Sequence, residues 1–176
     1  SMNKSELKHL RRETGVLFQG SALFDSMTVL ENVLFPLDMF SRETAREREC
    51  RALSCLERVE ISHARDLYPS EISGGMMKRA AIARALAMQP DLLVCDEATS
   101  ALDVTVQRQI VQLLDDIRRD TGMALLFICH DLALVSQICD RVVVMGQHRV
   151  VEVGPTADVI NNPQSEHTRR LLAAVL

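Results

Sequence analysis

The run Ile72-Ser73-Gly74-Gly75-Met76 stands upstream of Leu92-Leu93-Val94-Cys95-Asp96-Glu97, and this ordered pair constrains the fold more than any other feature of the chain. The first run reads as a Ser-Gly-Gly turn that opens an alanine-rich helix, continuing through Ala87. The second reads as a buried apolar strand, Leu92 to Cys95, ending in two acidic residues. In open α/β sheets, ligands meet the C-terminal ends of strands, which is where Asp96 and Glu97 emerge.

The rest of the chain falls into place around that pair. Residues 3–13 read as a short polar helix, and Gly15 to Phe18 as a short apolar strand ending at Gln19-Gly20. Thr28 is the expected N-cap of a helix over Val29 to Leu34, stopped by Pro36. Ser41 is the expected cap of a charged helix to about Arg58, with Leu53, Leu56 and Val59 inward and Arg42 to Glu49 in water. Val106, Ile110, Leu113, Leu114 and Ile117 make one apolar stripe on a helix closed by Gly122. Met123 to Cys129 reads as a second buried strand, with His130-Asp131 at its C-terminal end. A helix over Leu132 to Cys139, strands at Arg141 to Met145 and Arg149 to Val153, and helices at Thr156 to Ile160 and Glu166 to Val175 complete the chain. Alternating strand and helix after Pro90 predicts a parallel α/β sheet. Three regions follow: a strand region at 1–26, a helical region at 27–89, and an α/β core with C-terminal helices at 90–176.

Composition narrows the function. Hydrophobic residues are 47% of the chain and aromatic ones only 3%, so the core is aliphatic. A net charge of −4 argues against a nucleic-acid-binding surface. No apolar run reaches the roughly 18 residues of a membrane span, so the chain is expected to be soluble. The five cysteines are odd in number and show no Cys-x-x-Cys, which fits reduced thiols better than disulfides or a metal site.

The candidate chemistry is that of phosphate and divalent metal. A helix N-terminus carries partial positive charge and unpaired N–H groups that suit a phosphate. At Ser73-Gly74-Gly75 the glycines let backbone approach an anion, and the serine adds a hydroxyl. Taken alone, the same three residues are an ordinary helix cap and turn. Of the Asp96-Glu97 pair, one carboxylate can hold Mg²⁺ while its neighbour takes a proton from water. Taken alone, the pair is equally a turn after a core strand. His130, Gln19 and Ser100-Ala101-Leu102-Asp103 are each weak signals, read singly as a capping histidine, a polar residue after a strand and a helix start. No Gly-x-x-x-x-Gly-Lys-Ser/Thr occurs, so the usual phosphate-cradling loop is absent from these 176 residues.

The order Gln19, Ser73-Gly74-Gly75-Met76, Asp96-Glu97, Ser100 to Asp103, His130 resembles the ATPase core of ABC transporters from the Q-loop onward, over nearly all of the chain. The resemblance implies a P-loop NTPase core with a helical subdomain, here without its Walker A portion, as if the chain were the back two-thirds of the domain. It implies Ser73 to Met76 as the signature motif that faces ATP bound to a second ATPase subunit. Asp96 would act on Mg²⁺, Glu97 as general base, and His130 on the γ-phosphate. Gln19 would sense Mg²⁺ and water and couple to transmembrane permease subunits, and Asp103 would cross the dimer interface. The implied location is the cytoplasm, on the inner face of the cell membrane. Val16 to Leu37 is similar to ATPases of Mla-type phospholipid transporters. Asp103 to Gln107 and Gly154 to Leu176 are similar to oligopeptide, dipeptide and nickel importer ATPases. Met76 departs from the commoner Gln of the family, and His148 from the Gly usual at the late hairpin turn.

Two other readings stand beside this one. A non-catalytic fragment or degenerate subunit acting as an interaction module would also lack the phosphate loop. A non-transport ABC ATPase is disfavoured by the lack of long coiled-coil insertions and basic surfaces.

Overall fold

A computed structural model describes residues 3–99 and 102–173. By contacts the chain divides into two compact units, Ser1–Ile128 and Cys129–Leu176.

The first unit is built on a three-stranded parallel sheet in the order β1-β2-β3, with β1 at Thr14–Leu17, β2 at Leu92–Asp96 and β3 at Ala124–Ile128. Its register sets Val16 opposite Val94, and Val94 opposite Leu126. Helix α1 spans Lys4–Glu13, and α5, Val104–Thr121, links β2 to β3. Gly122 ends α5 in the left-handed region at φ 71°, the backbone state that favours glycine at a helix C-terminus.

Between β1 and β2 lie three mutually packed helices: α2 at Val29–Phe40, α3 at Ala45–Arg58 and α4 at Gly74–Leu86. Thr28 caps α2 as expected, in a capping box with Glu31. Pro36 does not stop that helix, which runs on to Phe40. A proline inside a helix costs about 3 kcal/mol. Val33 and Leu37 are both fully buried on either side of it, and each such burial returns about 1.5–3 kcal/mol. Tertiary packing therefore decides the boundary. Ser41 does not cap α3 either: it closes α2, while Thr44 caps α3 in a box with Glu47. Both are hydroxyls a few residues from a glutamate, and only the Thr44–Glu47 spacing closes the reciprocal box.

The second unit contains α6, Leu132–Ile138, the antiparallel hairpin β4, Arg141–Gly146, with β5, Arg149–Pro155, and helices α7, Thr156–Asn161, and α8, Glu166–Ala173. The expected parallel sheet after Pro90 thus holds for β2 and β3, whereas β4 and β5 pair antiparallel with each other. Their turn is Gln147-His148, with φ 51° and 61°. Two successive left-handed residues define the tight primed turn that favours glycine at its second position. We expect His148→Gly to stabilise the chain by about 0.5–1 kcal/mol, read as an upward shift of the denaturation midpoint.

Strand β3 corrects a second expectation. It is not buried: Leu126 is 50% and Ile128 49% exposed, and they share a sheet face with Val16 at 39%. Among the described residues β3 pairs only with β2, so its outer edge offers unpaired backbone groups beside apolar side chains. Such an edge is a template for another chain. The 176-residue chain on its own is expected to self-associate in light scattering and native mass spectrometry, and Leu126→Lys to raise the monomer fraction. A monodisperse monomer with one cooperative thermal transition would contradict this.

Candidate functional site

The acidic pair stands where the parallel ladder ends. Asp96 is the last residue of β2 and is exposed, and the next residue, Glu97, is half-buried. The Glu97 N–H donates to the carbonyl of Ile128, the last residue of β3, at 2.9 Å. Glu97 also carries a positive φ of 45°. A non-glycine residue in this region stores on the order of 1–3 kcal/mol of strain. It is held there by the bond to Ile128 and by Ala98 and Thr99, both buried, directly behind it. Sequence patterning missed that strain, because nothing in an Asp-Glu dipeptide signals a left-handed glutamate.

Gln19 reaches the same edge of the sheet by a different route. Leu17, at the end of β1, pairs in register with Cys95, so the exposed Gln19 follows the C-terminal end of the strand next to β2. Parallel strands thereby deliver an amide and two carboxylates to the same end of the sheet.

The Ser-Gly-Gly turn is a helix start, as its composition implies. Ser73 caps α4, its hydroxyl accepting from the Met76 N–H at 3.3 Å. No acidic residue occupies the first turn, so the helix's own first turn does not neutralise its positive end. Ser73 and Gly74 are exposed, and a Cβ added at Gly74 would meet nothing within 4 Å. A Cβ at Gly75 would instead lie 3.1 Å from the Val106 side chain. Gly75 therefore allows the first turns of α4 and α5 to approach closely. Asp103 caps α5 by accepting from the Val106 N–H at 2.9 Å, so it is joined to the Ser-Gly-Gly turn through that valine. Ser100 and Ala101, the first two residues of the expected Ser100-to-Asp103 motif, lie outside the described residues.

His130 is exposed and belongs to the second unit. It follows β3 by two residues and precedes Asp131, whose carboxylate accepts from the Leu134 N–H at 3.1 Å and starts α6. The structure thus groups Gln19, Asp96 and Glu97 at strand ends and joins Ser73, Gly75 and Asp103 at two helix starts.

A family model described as ABC transporter matches residues 1–100, more than half of the chain. The chain belongs to the ABC transporter family. The methionine import ATP-binding protein MetN of Haemophilus influenzae (strain 86-028NP) is 45% identical over 165 residues, covering 94% of this chain and 48% of that protein. MetN of Ralstonia nicotianae is 43% identical over the whole chain and 50% of its own length. The chain therefore spans about half the length of the curated relatives it matches. Among solved structures, the dimeric post-hydrolysis state of the ATP-binding cassette MJ0796 with ADP and Pi is 32% identical with a TM-score of 0.77, over 89% of this chain and 68% of that one. CbiO1 of Clostridium perfringens, part of the ABC transporter complex cbiONQ, is 29% identical with a TM-score of 0.83, over 92% and 64%. The fold is accordingly that of an ABC ATPase. Neither finer likeness, to phospholipid-transporter or to peptide and nickel importer ATPases, is what these relatives show.

If the Ser73 hydroxyl matters to the fold as a cap, Ser73→Ala should cost about 0.5–2 kcal/mol and Ser73→Asp should retain most of the wild-type stability. Urea midpoints of the three proteins check this.

Proposed function

We propose that the full-length protein is the ATP-hydrolysing motor subunit of a bacterial ABC importer, and that these residues form its part from the Q-loop onward. The observation that carries the reading is the placement of Asp96 and Glu97 at the C-terminal end of a parallel strand, beside the strand that leads to Gln19. Import is supported by the likeness to methionine import ATP-binding proteins. The stretch 27–89 is proposed as the helical subdomain that meets the transmembrane permease, and 90–176 as the core with C-terminal helices. Residues 1–26 supply the Q-loop strand. No described helix is long and apolar enough to cross a membrane, which is compatible with a subunit held on the inner face of the cell membrane by its permease partners. No nucleic acid is invoked.

The donor set fits Mg²⁺ and ATP. Asp96 is an exposed hard oxygen donor at the end of β2, with the Glu97 carboxylate next to it. Mg²⁺ takes hard oxygen ligands and is bound through one or two carboxylates plus waters and phosphate oxygens, which this donor would suit. When bound, Mg²⁺ neutralises charge on the phosphate oxygens. In the proposed mechanism Asp96 would hold the ion, directly or through water. Glu97 takes the proton of the attacking water, and the Gln19 amide orients that water. His130 hydrogen-bonds the γ-phosphate. Ser73, Gly74, Gly75 and Met76, at the start of α4, would bind ATP carried by a second ATPase subunit, and Asp103 would reach across that interface. Positioning and electrostatic stabilisation then supply most of the rate.

Steady-state phosphate release with Mg²⁺ tests the reading. In the full-length protein, Glu97→Gln is expected to leave ATP binding intact and to lower turnover by about 10²–10⁴-fold. An unchanged turnover number removes Glu97 from the role. The 176-residue chain alone, lacking the Gly-Lys-Ser/Thr loop, is expected to show no turnover. Activity there that vanishes on Glu97→Gln would reveal a phosphate cradle of another kind.

A further inference from the structure

Two cations on α4 reach back to one short backbone segment. Lys78 is only 5% exposed, and its Nζ donates to the carbonyl of Phe18 at 3.1 Å and to the carbonyl of Gln19. Arg84 donates through Nη1 to the carbonyl of Ala22 at 2.6 Å and through Nη2 to the carbonyl of Ser21 at 3.0 Å. The Arg84 guanidinium also lies over the ring of Phe24, 5.9 Å from its centroid. Four of the five carbonyls from Phe18 to Ala22 thus accept from two side chains of a single helix.

This arrangement is not incidental to the packing. A buried ammonium needs hydrogen-bond partners, and these carbonyls accept two of its three N–H groups. Ser21 and Ala22 have φ of 28° and 49°, a conformation that side-chain-bearing residues avoid. Charge-assisted bonds from the forked guanidinium to both of their carbonyls hold them in it. The segment has left the β1 ladder at Leu17, so those bonds replace strand pairing as its restraint. Its far end is anchored by Asn32, which accepts from the Phe24 N–H at 2.8 Å and donates to the Phe24 carbonyl at 3.1 Å.

We infer that Lys78 and Arg84 are positioning residues, which fix the backbone that carries the Gln19 amide by clamping it on both sides of Gln19 to the helix that begins at Ser73. The inference rests on the function proposed above and deepens it. Gln19 serves the ATP held by its own subunit, whereas Ser73 to Met76 face the ATP of the other. Lys78 is five residues beyond Ser73, about 7.5 Å along a rigid helix.

The test uses the full-length ATPase and two readouts. Lys78→Met and Arg84→Met are expected to lower kcat at least about tenfold with KM for ATP within about twofold of wild type, because ATP capture is left intact. Lys78→Arg is expected to restore most of the rate. Hydrogen–deuterium exchange, which needs no turnover, is expected to rise in the methionine variants at residues 18–22 while α2 and α3 stay protected. Exchange that rises evenly across α2, α3 and α4 would reduce both residues to supports of the fold and overturn the inference. So would a lowered kcat with unchanged exchange at 18–22, or wild-type values in both readouts. If a methionine variant does not fold, Arg84→Lys decides: it keeps the charge, loses the fork, and is expected to expose 21–22 to exchange and slow turnover. Full activity in Glu97→Gln would instead count against the functional reading, and the exchange result would stand apart from it.

Discussion

Close approach to one alanine-rich helix is the constraint on which the first unit depends. Ala80, Ala81, Ala83 and Ala87 are all at most 2% exposed, and α4 packs against α2, α3 and β1 at once. Side chains of one carbon let neighbouring backbones come near. The clearest case is Gly15, where an added Cβ would stand 3.0 Å from the Ala85 carbonyl oxygen and 2.9 Å from Leu93. Interiors packed this tightly tolerate little added volume. The helix that presents Ser73 at one end is thereby seated against the strand that leads to Gln19, before any polar contact is considered. The Lys78 and Arg84 bonds refine a geometry that small residues make available.

A second support is a buried amide. Asn32 is fully buried inside α2, with its oxygen accepting from the Phe24 N–H and its nitrogen near the carbonyls of Phe24, Met27 and Thr28. A satisfied buried polar group of this kind specifies one loop path and penalises others. It ties the stretch that leaves the sheet at Leu17 to the beginning of the helical lobe, where Phe24 also meets the Phe35 ring at 4.7 Å.

Where sequence reading succeeded, the deciding physics was local. The Thr28 cap, the Ser73 cap and the Gly122 terminus each depend on hydroxyl chemistry or backbone freedom at one position. Where it failed, the outcome was set at a distance. Pro36 is tolerated because Val33 and Leu37 are buried by other helices. Leu126 and Ile128 look like core residues in sequence and are half exposed, because a strand's burial depends on what covers its faces. The acids Asp96 and Glu97 could be placed at a strand end from the run before them, but the left-handed φ of Glu97 could not. Lys78 is written among ordinary charged residues of a helix, and only the fold reveals that it points inward at carbonyls sixty positions earlier.

The strand order has a consequence for how the chain assembles. β1 ends at Leu17 and its only ladder partner among the described residues starts at Leu92, with three helices between them. Closing so long a loop is entropically costly, and rates fall as contacts become more distant in sequence. The helices between, joined by short connections, meet one another through nearer contacts. During synthesis, the lobe from α2 to α4 can condense before β2, the described ladder partner of β1, has been made. The pairing of β1 with β2 then forms late, around a helical cluster that already exists. Until that pairing forms, the apolar side chains of β1 lack the strand that completes their side of the sheet.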